Sequence, residues 1–215
     1  MKSVLLIGLG RFGYKVAQNL TVLGHEVMAI DCDEEKVNHA LSVVTEAQIG
    51  DTTDAEYLKT LGVDEYDLCI VAIGEDFQNS LETVSLLREL GAGKIVAQAT
   101  RDVHEKFLLR NGADAVVYAE KQLAEWTAVR YTSDHVLDFI HLDGQNAIYE
   151  LSVPEDWHGK TPVELNIRRK YDLNVLAVRR DGNLSVSVSP DTVFAPGDTV
   201  FVLGEYKNVQ KCFKK

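Results

Sequence analysis

Residues 3–31 read SVLLIGLGRFGYKVAQNLTVLGHEVMAID. An apolar run, Val4 to Ile7, enters a turn that carries Gly8, Gly10 and Gly13. Phe12, Val16, Ala17 and Leu20 then recur at helical spacing, and a second apolar run, Val27 to Ile30, ends in Asp31. Strand, glycine turn, helix, strand and acid within about 30 residues is the sequence form of a dinucleotide-binding βαβ unit. Each residue type has a physical reason. Gly8 permits the tight turn, Gly10 lets a pyrophosphate approach the backbone, and Gly13 lets the helix pack close to the sheet. The helix N-terminus offers free N–H groups and the positive end of its dipole to phosphate. A carboxylate at Asp31 suits ribose hydroxyls and argues against a 2′-phosphate, and so against NADP. Arg11 opposes the helix dipole. It is either a solvated surface cation or a group that reaches a phosphate or crosses to a partner subunit.

Outward from this unit the pattern repeats. Helices are expected over Glu34–Leu41, Ala55–Leu61, Asp76–Leu90 and His104–Asn111, and strands over Val43–Ile49, Asp67–Ile73, Lys94–Ala99 and Ala115–Tyr118. DLCIVAI, residues 67–73, is an uninterrupted apolar strand, as a parallel sheet covered on both faces requires. Six strands alternating with helices make a doubly wound Rossmann sheet of α/β class over residues 1–118. Gly50-Asp51 and Gly74 end strands at the carboxyl edge, where ligands bind in this fold. Gly74 allows close approach of the backbone to a ligand. Asp51 either meets the adenine or its ribose, or acts with Thr52 or Thr53 as the N-cap of the next helix.

Glu120 to Tyr131 is one more helix, carrying Leu123, Trp126, Thr127 and Arg130 on one side; residues 119–134 form a crossover helix and linker. That face packs on a partner subunit, crosses between domains, or packs on its own domain. Residues 135–215 form a small α+β domain. Strands Val136–Leu142 and Ala147–Val153 flank a turn, a helix starts at Thr161-Pro162 and runs to about Lys170, and Leu173–Val178 is a strand. A short edge strand is expected at Val186–Val188, another strand at Thr199–Leu203, and a last helix over Tyr206–Lys214.

The chain has 215 residues, of which 46% are apolar, enough for one good domain and a small one. A net charge of −11 argues against binding the phosphate backbone of nucleic acid. Cys32, Cys69 and Cys212 have neither metal-cluster nor disulfide spacing, and Cys69 reads as a core residue. No signal peptide and no apolar span of membrane length is present, so a soluble, cytoplasmic chain is expected, with any membrane role supplied by a partner.

LIGLGRFG, the acid of AID, AIGEDFQNS and GADAVVYAE together resemble the regulator-of-potassium-conductance (RCK) family, and more narrowly the cytosolic regulatory subunits of Trk/Ktr-type potassium uptake systems. GKTPVELNIRRKYDLNVLAVRRDG and PDTVFAPGDTVFVLGE are similar to the C-terminal RCK module that follows the Rossmann domain there. The resemblance covers essentially the full chain. It implies dimers formed through the crossover helix, closing into an octameric ring that docks on a membrane potassium-translocating subunit at the inner face of the membrane. It implies ATP and ADP, or NAD and NADH, as ligands. By carry-over, the nucleotide lies among Gly8, Gly10, Arg11, Phe12, Gly13, Asp31, Cys32, Asp33, Gly50, Asp51, Ile73, Gly74, Gln98 and Arg101. Arg11 matches an arginine that reaches the terminal phosphate of ATP. Glu120 matches an acid that helps bind Mg2+ or another divalent cation at the dimer interface, or is simply a helix N-terminal acid. Asn166, Ile167, Arg168, Asn174 and Pro190 fall at positions resembling a cyclic di-AMP site; otherwise they are a solvated helix face with Ile167 in the core. Gln98 departs from the pattern: many relatives carry Lys or Arg there, and Arg101 stands as a substitute cation.

The expected function is a nucleotide-gated regulatory subunit, not an enzyme. Two alternatives stand beside it. An NAD-dependent dehydrogenase needs a proton relay, and His104, the one histidine near the carboxyl edge, fits a helix surface. A free-standing nucleotide or redox sensor would have a different partner.

Overall fold

The structure, a computed structural model, describes residues 1–213. The expected end of the last helix at Lys214 lies outside them. The chain divides into two compact units, Met1–Gln122 and a second that begins at Leu123.

The first unit is a doubly wound sheet. Its strands are β1 (Ser3–Ile7), β2 (Glu26–Asp31), β3 (Glu46–Ile49), β4 (Leu68–Val71), β5 (Ile95–Gln98) and β6 (Ala115–Val117), all parallel, in the spatial order β3-β2-β1-β4-β5-β6. Between them run α1 (Arg11–Val22), α2 (Glu34–Ala40), α3 (Ala55–Thr60), α4 (Phe77–Glu89) and α5 (Asp102–Arg110). Strand alternation sends β1 side chains to two separate cores. Leu5 and Ile7 join Val71, Leu87 and Ile95 on one face, while Val4 and Leu6 join Ala17, Val27 and Val37 on the other. That double burial is why β1 and β4 read as unbroken apolar runs. Chain order reverses between β1 and β4, so the carboxyl ends of these strands flank the crevice where such sheets hold ligands. Cys69 is fully buried, and burial pushes its thiol up to about 12, which fits a core residue.

The third strand starts at Glu46, not Val43, because residues 41–45 turn. The N-cap of α3 is Asp54, whose carboxylate accepts from Glu56 N–H at 2.8 Å, and not Asp51. Asp51 instead accepts from Thr53 N–H and Oγ1 at 2.9 and 2.7 Å, in a turn of its own.

Helix α6 (Ala119–Thr132) contains the boundary between the units and has no buried residue. In the second unit Trp126 and Val129 lie against the core, and Trp126 Nε1 donates to Asp138 at 2.8 Å. Strands β7 (Val136–His141), β8 (Asn146–Ser152), β9 (Asn174–Arg180), β10 (Asn183–Ser185) and β11 (Thr199–Glu205) form an antiparallel sheet in the order β10-β9-β11-β8-β7. Helices α7 (Ile167–Tyr171) and α8 (Tyr206–Phe213) bring Ile167, Val209 and Phe213 to a core with Trp157, Phe194 and Tyr149.

The helix expected over Thr161–Lys170 is interrupted. Thr161 and Glu164 form a reciprocal capping pair, with Glu164 accepting from Thr161 N–H at 2.8 Å, but the chain only turns there. Asn166 then adopts a left-handed conformation at φ 50, and α7 starts afresh at Ile167. No strand forms at Val186–Val188; the edge strand is β10, next to the Asp181-Gly182 turn, and all its residues are exposed.

Asp198 is the polar anchor of the second unit. It is 2% exposed, takes Arg180 Nε and Nη2 at 2.8 and 2.7 Å, and accepts from Ala195 N–H at 2.8 Å. The Arg180 guanidinium holds its carboxyl below the ordinary value. Asp198→Ala is expected to lower the unfolding free energy by about 1–3 kcal/mol at neutral pH in denaturant melts. Because the folded-state value is depressed, this contribution is complete above the unfolded-chain value of about 4 and fades as pH falls below it. The gap between wild type and variant therefore narrows in melts at about pH 3; an undiminished gap would exclude the ionised pair as its source.

Candidate functional site

The glycine turn is built from backbone that tolerates no side chain at two of its three positions. Gly8 has φ +96, and a Cβ there would stand 2.8 Å from the Ala72 carbonyl oxygen. A Cβ on Gly13 would lie 1.9 Å from the Gly8 carbonyl oxygen, so α1 can seat only with glycine there. Gly10 is different. It precedes α1 with φ −62, and a Cβ would meet nothing within 4 Å. The space over its backbone is open, and a ligand can lie against it.

No side chain caps α1, and its first turn contains no acid. Its leading N–H groups are therefore free of side-chain competitors, at the positive end of the dipole. Among the described residues Arg11 is exposed and makes no hydrogen bond or ion pair. Phe12 packs into the core on the α1 face of the sheet.

Asp31 holds this turn in place. Its side chain is 8% exposed, with Oδ2 accepting from Leu9 N–H at 2.7 Å and Oδ1 from Asp33 N–H at 2.9 Å. Lys36 Nζ stands 3.7 Å from the same Oδ1. One oxygen thus grips the glycine turn and the other orders the start of α2, which Asp33 caps by accepting from Glu35 N–H. Cys32 is exposed, with Sγ 3.7 Å from Asp31 Oδ1. The grip on Leu9 had no signal in the spacing of the sequence, which suggested only a ribose partner.

The remaining expected residues end neighbouring strands on the same carboxyl edge. A Cβ on Gly50 would collide with the Tyr57 ring at 2.1 Å, so this glycine makes room for a side chain of its own fold. Ile73 packs against the main core. Gly74 is covered by Thr100 and Gln98, whose atoms stand 3.2 and 3.3 Å from where a Cβ would be, and Thr100 Oγ1 donates to the Gly74 carbonyl at 3.2 Å. Arg101 lays its guanidinium over the Phe77 ring, 4.9 Å from the centroid. Phe77 and Tyr57 escaped the sequence reading because they occupy ordinary helix positions.

His104 is a correction: it is fully buried, not on a helix surface. Its Nε2 shares a hydrogen bond with Ser80 Oγ at 3.2 Å, its ring packs on Phe77, and its Nδ1 has no partner among the described residues. Burial, reinforced by the Arg101 charge, pushes the imidazole below its ordinary value. The histidine joins α4 to α5 and is closed off from any substrate.

Glu120 is exposed at the start of α6, and among the described residues no three His, Cys, Asp or Glu side chains gather to hold a metal ion. In the second unit Ile167 is 1% exposed and belongs to the core, while Asn166, Arg168 and Pro190 are exposed. Asn174 lines a cavity of 340 Å³ with Asp143, Asn146 and Asp172. Among the described residues no helix is long and apolar enough to cross a membrane.

Residues 4–119 match the family model of the TrkA-N domain, and residues 148–215 match that of the TrkA-C domain. The chain is 38% identical over 214 residues to the Ktr system potassium uptake protein C of Bacillus subtilis (strain 168), across 100% of this chain and 97% of that protein. It is 34% identical to the Ktr system potassium uptake protein A of the same organism, across 98% of this chain and 95% of that protein. Its backbone is similar to that of the GsuK channel bound to NAD, with a TM-score of 0.70 at 21% identity, across 98% of this chain and 38% of that one. A GsuK structure bound to ADP gives a TM-score of 0.55 at 20% identity, across 61% of this chain and 35% of that one.

Asp31→Ala tests the grip on the turn. The Leu9 amide is expected to exchange with solvent at least about tenfold faster, with global stability lowered by about 1–3 kcal/mol, as read by hydrogen exchange and denaturant melts. Unchanged Leu9 exchange would mean that the carboxylate does not hold the turn.

Proposed function

The chain belongs to the family of Ktr and Trk potassium uptake proteins built from a TrkA-N and a TrkA-C domain, and from this we propose that it is the nucleotide-gated regulatory subunit of a potassium uptake transporter. The observation that carries the reading is the open backbone at Gly10, set against an uncapped, acid-free helix N-terminus. Phosphate is the ligand chemistry that such a terminus favours.

The ligand is an adenine nucleotide, ATP or ADP, or NAD or NADH. Support for the class comes from the GsuK structures, described as bound to NAD and to ADP. Gly8, Gly10 and Gly13 present the α1 N-terminus to the phosphates, Arg11 adds a cation from its own or a neighbouring subunit, and Asp31 holds the turn and offers its remaining lone pairs to ribose. Asp51 and Gly50 lie at the adenine end. Glu120 supplies one ligand to a divalent cation, with the others coming from a second subunit and the phosphates. In the C-terminal domain the region of Asn166, Ile167, Arg168, Asn174 and Pro190 takes cyclic di-AMP.

The protein performs no catalysis on this reading. Subunits assemble into dimers through α6, and dimers into an octameric ring seated on the cytoplasmic face of a membrane potassium-translocating subunit. Nucleotide gates that partner by binding one ring geometry more tightly than another, and it shifts the equilibrium only by that difference.

Gly10→Ala separates fold from function. The backbone there suits alanine and a Cβ has free space, so unfolding free energy is expected to change by less than about 0.5 kcal/mol. The methyl occupies the phosphate path, so calorimetric affinity for ADP is expected to fall at least about tenfold, and nucleotide control of potassium flux in vesicles carrying the assembled transporter disappears. A wild-type chain that binds no adenine nucleotide, or a variant that binds it unchanged, would overturn the proposal.

A further inference from the structure

Gln98 ends β5 at the carboxyl edge of the first unit. Its neighbours Ala97 and Ala99 join the core with Val71 and Leu87, so strand alternation turns Gln98 to the opposite face. On β4 and the residue after it, Ile70 and Ala72 share that opposite face with Leu6 and Ala17, which puts Gln98 on the side of α1 and the glycine turn. The side chain leans from β5 toward the crevice. Its Cδ and Nε2 both stand 3.3 Å from where a Cβ of Gly74 would be, so its amide lies over the end of β4, the strand beside the point of chain reversal.

This amide is 8% exposed as a residue and makes no hydrogen bond among the described residues. A carboxamide carries two donors and two acceptor lone pairs, and here its nitrogen and oxygen are not fully buried, so a ligand in the crevice can reach them. Of the polar groups nearby, Thr100 Oγ1 donates to the Gly74 carbonyl, Asp76 Oδ1 accepts from Asn79 N–H, and Arg101 lies over the face of Phe77. The amide is free to pair with a ligand that extends past the phosphates.

The charge of the place narrows the ligand class. Gln98 is neutral, and Glu75 and Asp76 open the loop into α4. A third phosphate placed against Gln98 itself meets a neutral amide and the two carboxylates that follow Gly74, which is unfavourable. A neutral second nucleoside, with ribose hydroxyls and a carboxamide, pairs with an amide in both donor and acceptor directions.

We propose that Gln98 sets the ligand class of the cleft, selecting a dinucleotide, NAD or NADH, over a nucleoside triphosphate. The inference rests on the reading of the cleft as an adenine-nucleotide site, and ADP, the part common to both ligand classes, is the control for that reading. Calorimetry on the full chain with NADH, ATP and ADP compares wild type with Gln98→Leu and Gln98→Lys. Wild type is expected to bind NADH more tightly than ATP. Gln98→Leu is expected to weaken NADH by roughly fivefold to tenfold and leave ADP unchanged, the size of a lost neutral hydrogen bond. Gln98→Lys is expected to tighten ATP by roughly tenfold and reverse the preference, the size of a gained charge-assisted contact. If ADP binds and NADH affinity ignores both substitutions, or wild type prefers ATP, the assignment of Gln98 is overturned. If ADP itself does not bind wild type, the cleft reading fails and this one with it.

Discussion

Everything at the nucleotide edge depends on how closely α1 approaches the loop that precedes it. The 1.9 Å separation between the Gly8 carbonyl oxygen and the place of a Gly13 Cβ leaves no room for any side chain at residue 13. With glycine there, α1 drops onto the sheet, Ala17 reaches the core beside Leu6 and Ala72, and the helix N-terminus is aimed across the ends of β1 and β4. The same seating explains Gly8, whose left-handed backbone turns the chain without striking the Ala72 carbonyl. Asp31 completes the arrangement from the next strand, because a buried carboxylate gripping Leu9 N–H at 2.7 Å fixes the turn before any ligand is present. The glycines remove bulk and the aspartate supplies the one charged acceptor that keeps the emptied loop in one conformation.

Beyond the crevice, α4 is joined to α5 and to the turn before α3 by polar contacts. His104 meets Ser80, Thr83 Oγ1 meets Thr52 Oγ1 at 2.9 Å, and Phe77 contacts both the His104 ring and the Arg101 guanidinium. These contacts bury hydroxyls and an imidazole with only the His104 Nδ1 and the Tyr57 hydroxyl left without partners among the described residues. A histidine sealed in this way cannot relay a proton to a ligand.

The order of the first six strands was legible because burial on both faces forces unbroken apolar runs, and because Gly8, Gly10, Gly13 and Asp31 sit at the spacing that a βαβ turn demands. Failures came where local polar chemistry mimicked a longer element. Thr161 and Glu164 do form a capping pair, yet Asn166 takes the left-handed conformation and ends the turn, and an asparagine's tolerance of that conformation leaves no mark in apolar periodicity. Asp51 and Asp54 both resemble N-caps; only two residues lie between them, and the structure decides that Asp54 caps α3. At the candidate site, glycine spacing located the turn before α1, but the partners of Asp31, the covering of Gly74 and the burial of Gln98 arise from contacts between strands that the chain order does not reveal.

Magnitudes separate two roles within the proposed site. Moving a two-state ring from 1:99 to 99:1 takes about 5.5 kcal/mol of differential affinity. A neutral hydrogen bond contributes about 0.5–1.5 kcal/mol, so an amide at Gln98 is enough to choose among ligands and too weak to drive the ring. Contacts to phosphate, at about 1.5–3 kcal/mol each, are of the right size when two or three of them differ between ring geometries. The groups free to make such contacts are the uncapped N–H groups of α1 and the exposed, unpaired Arg11. The helix N–H groups are fixed to the sheet by Gly13 and Asp31, and so bind equally in any arrangement of subunits. Arg11 is on a long side chain at the surface, and on the proposed reading its reach changes with the position of a neighbouring subunit. On the proposed reading the rigid turn therefore supplies affinity, Gln98 supplies selectivity, and Arg11 is the group whose contact with phosphate varies with the ring.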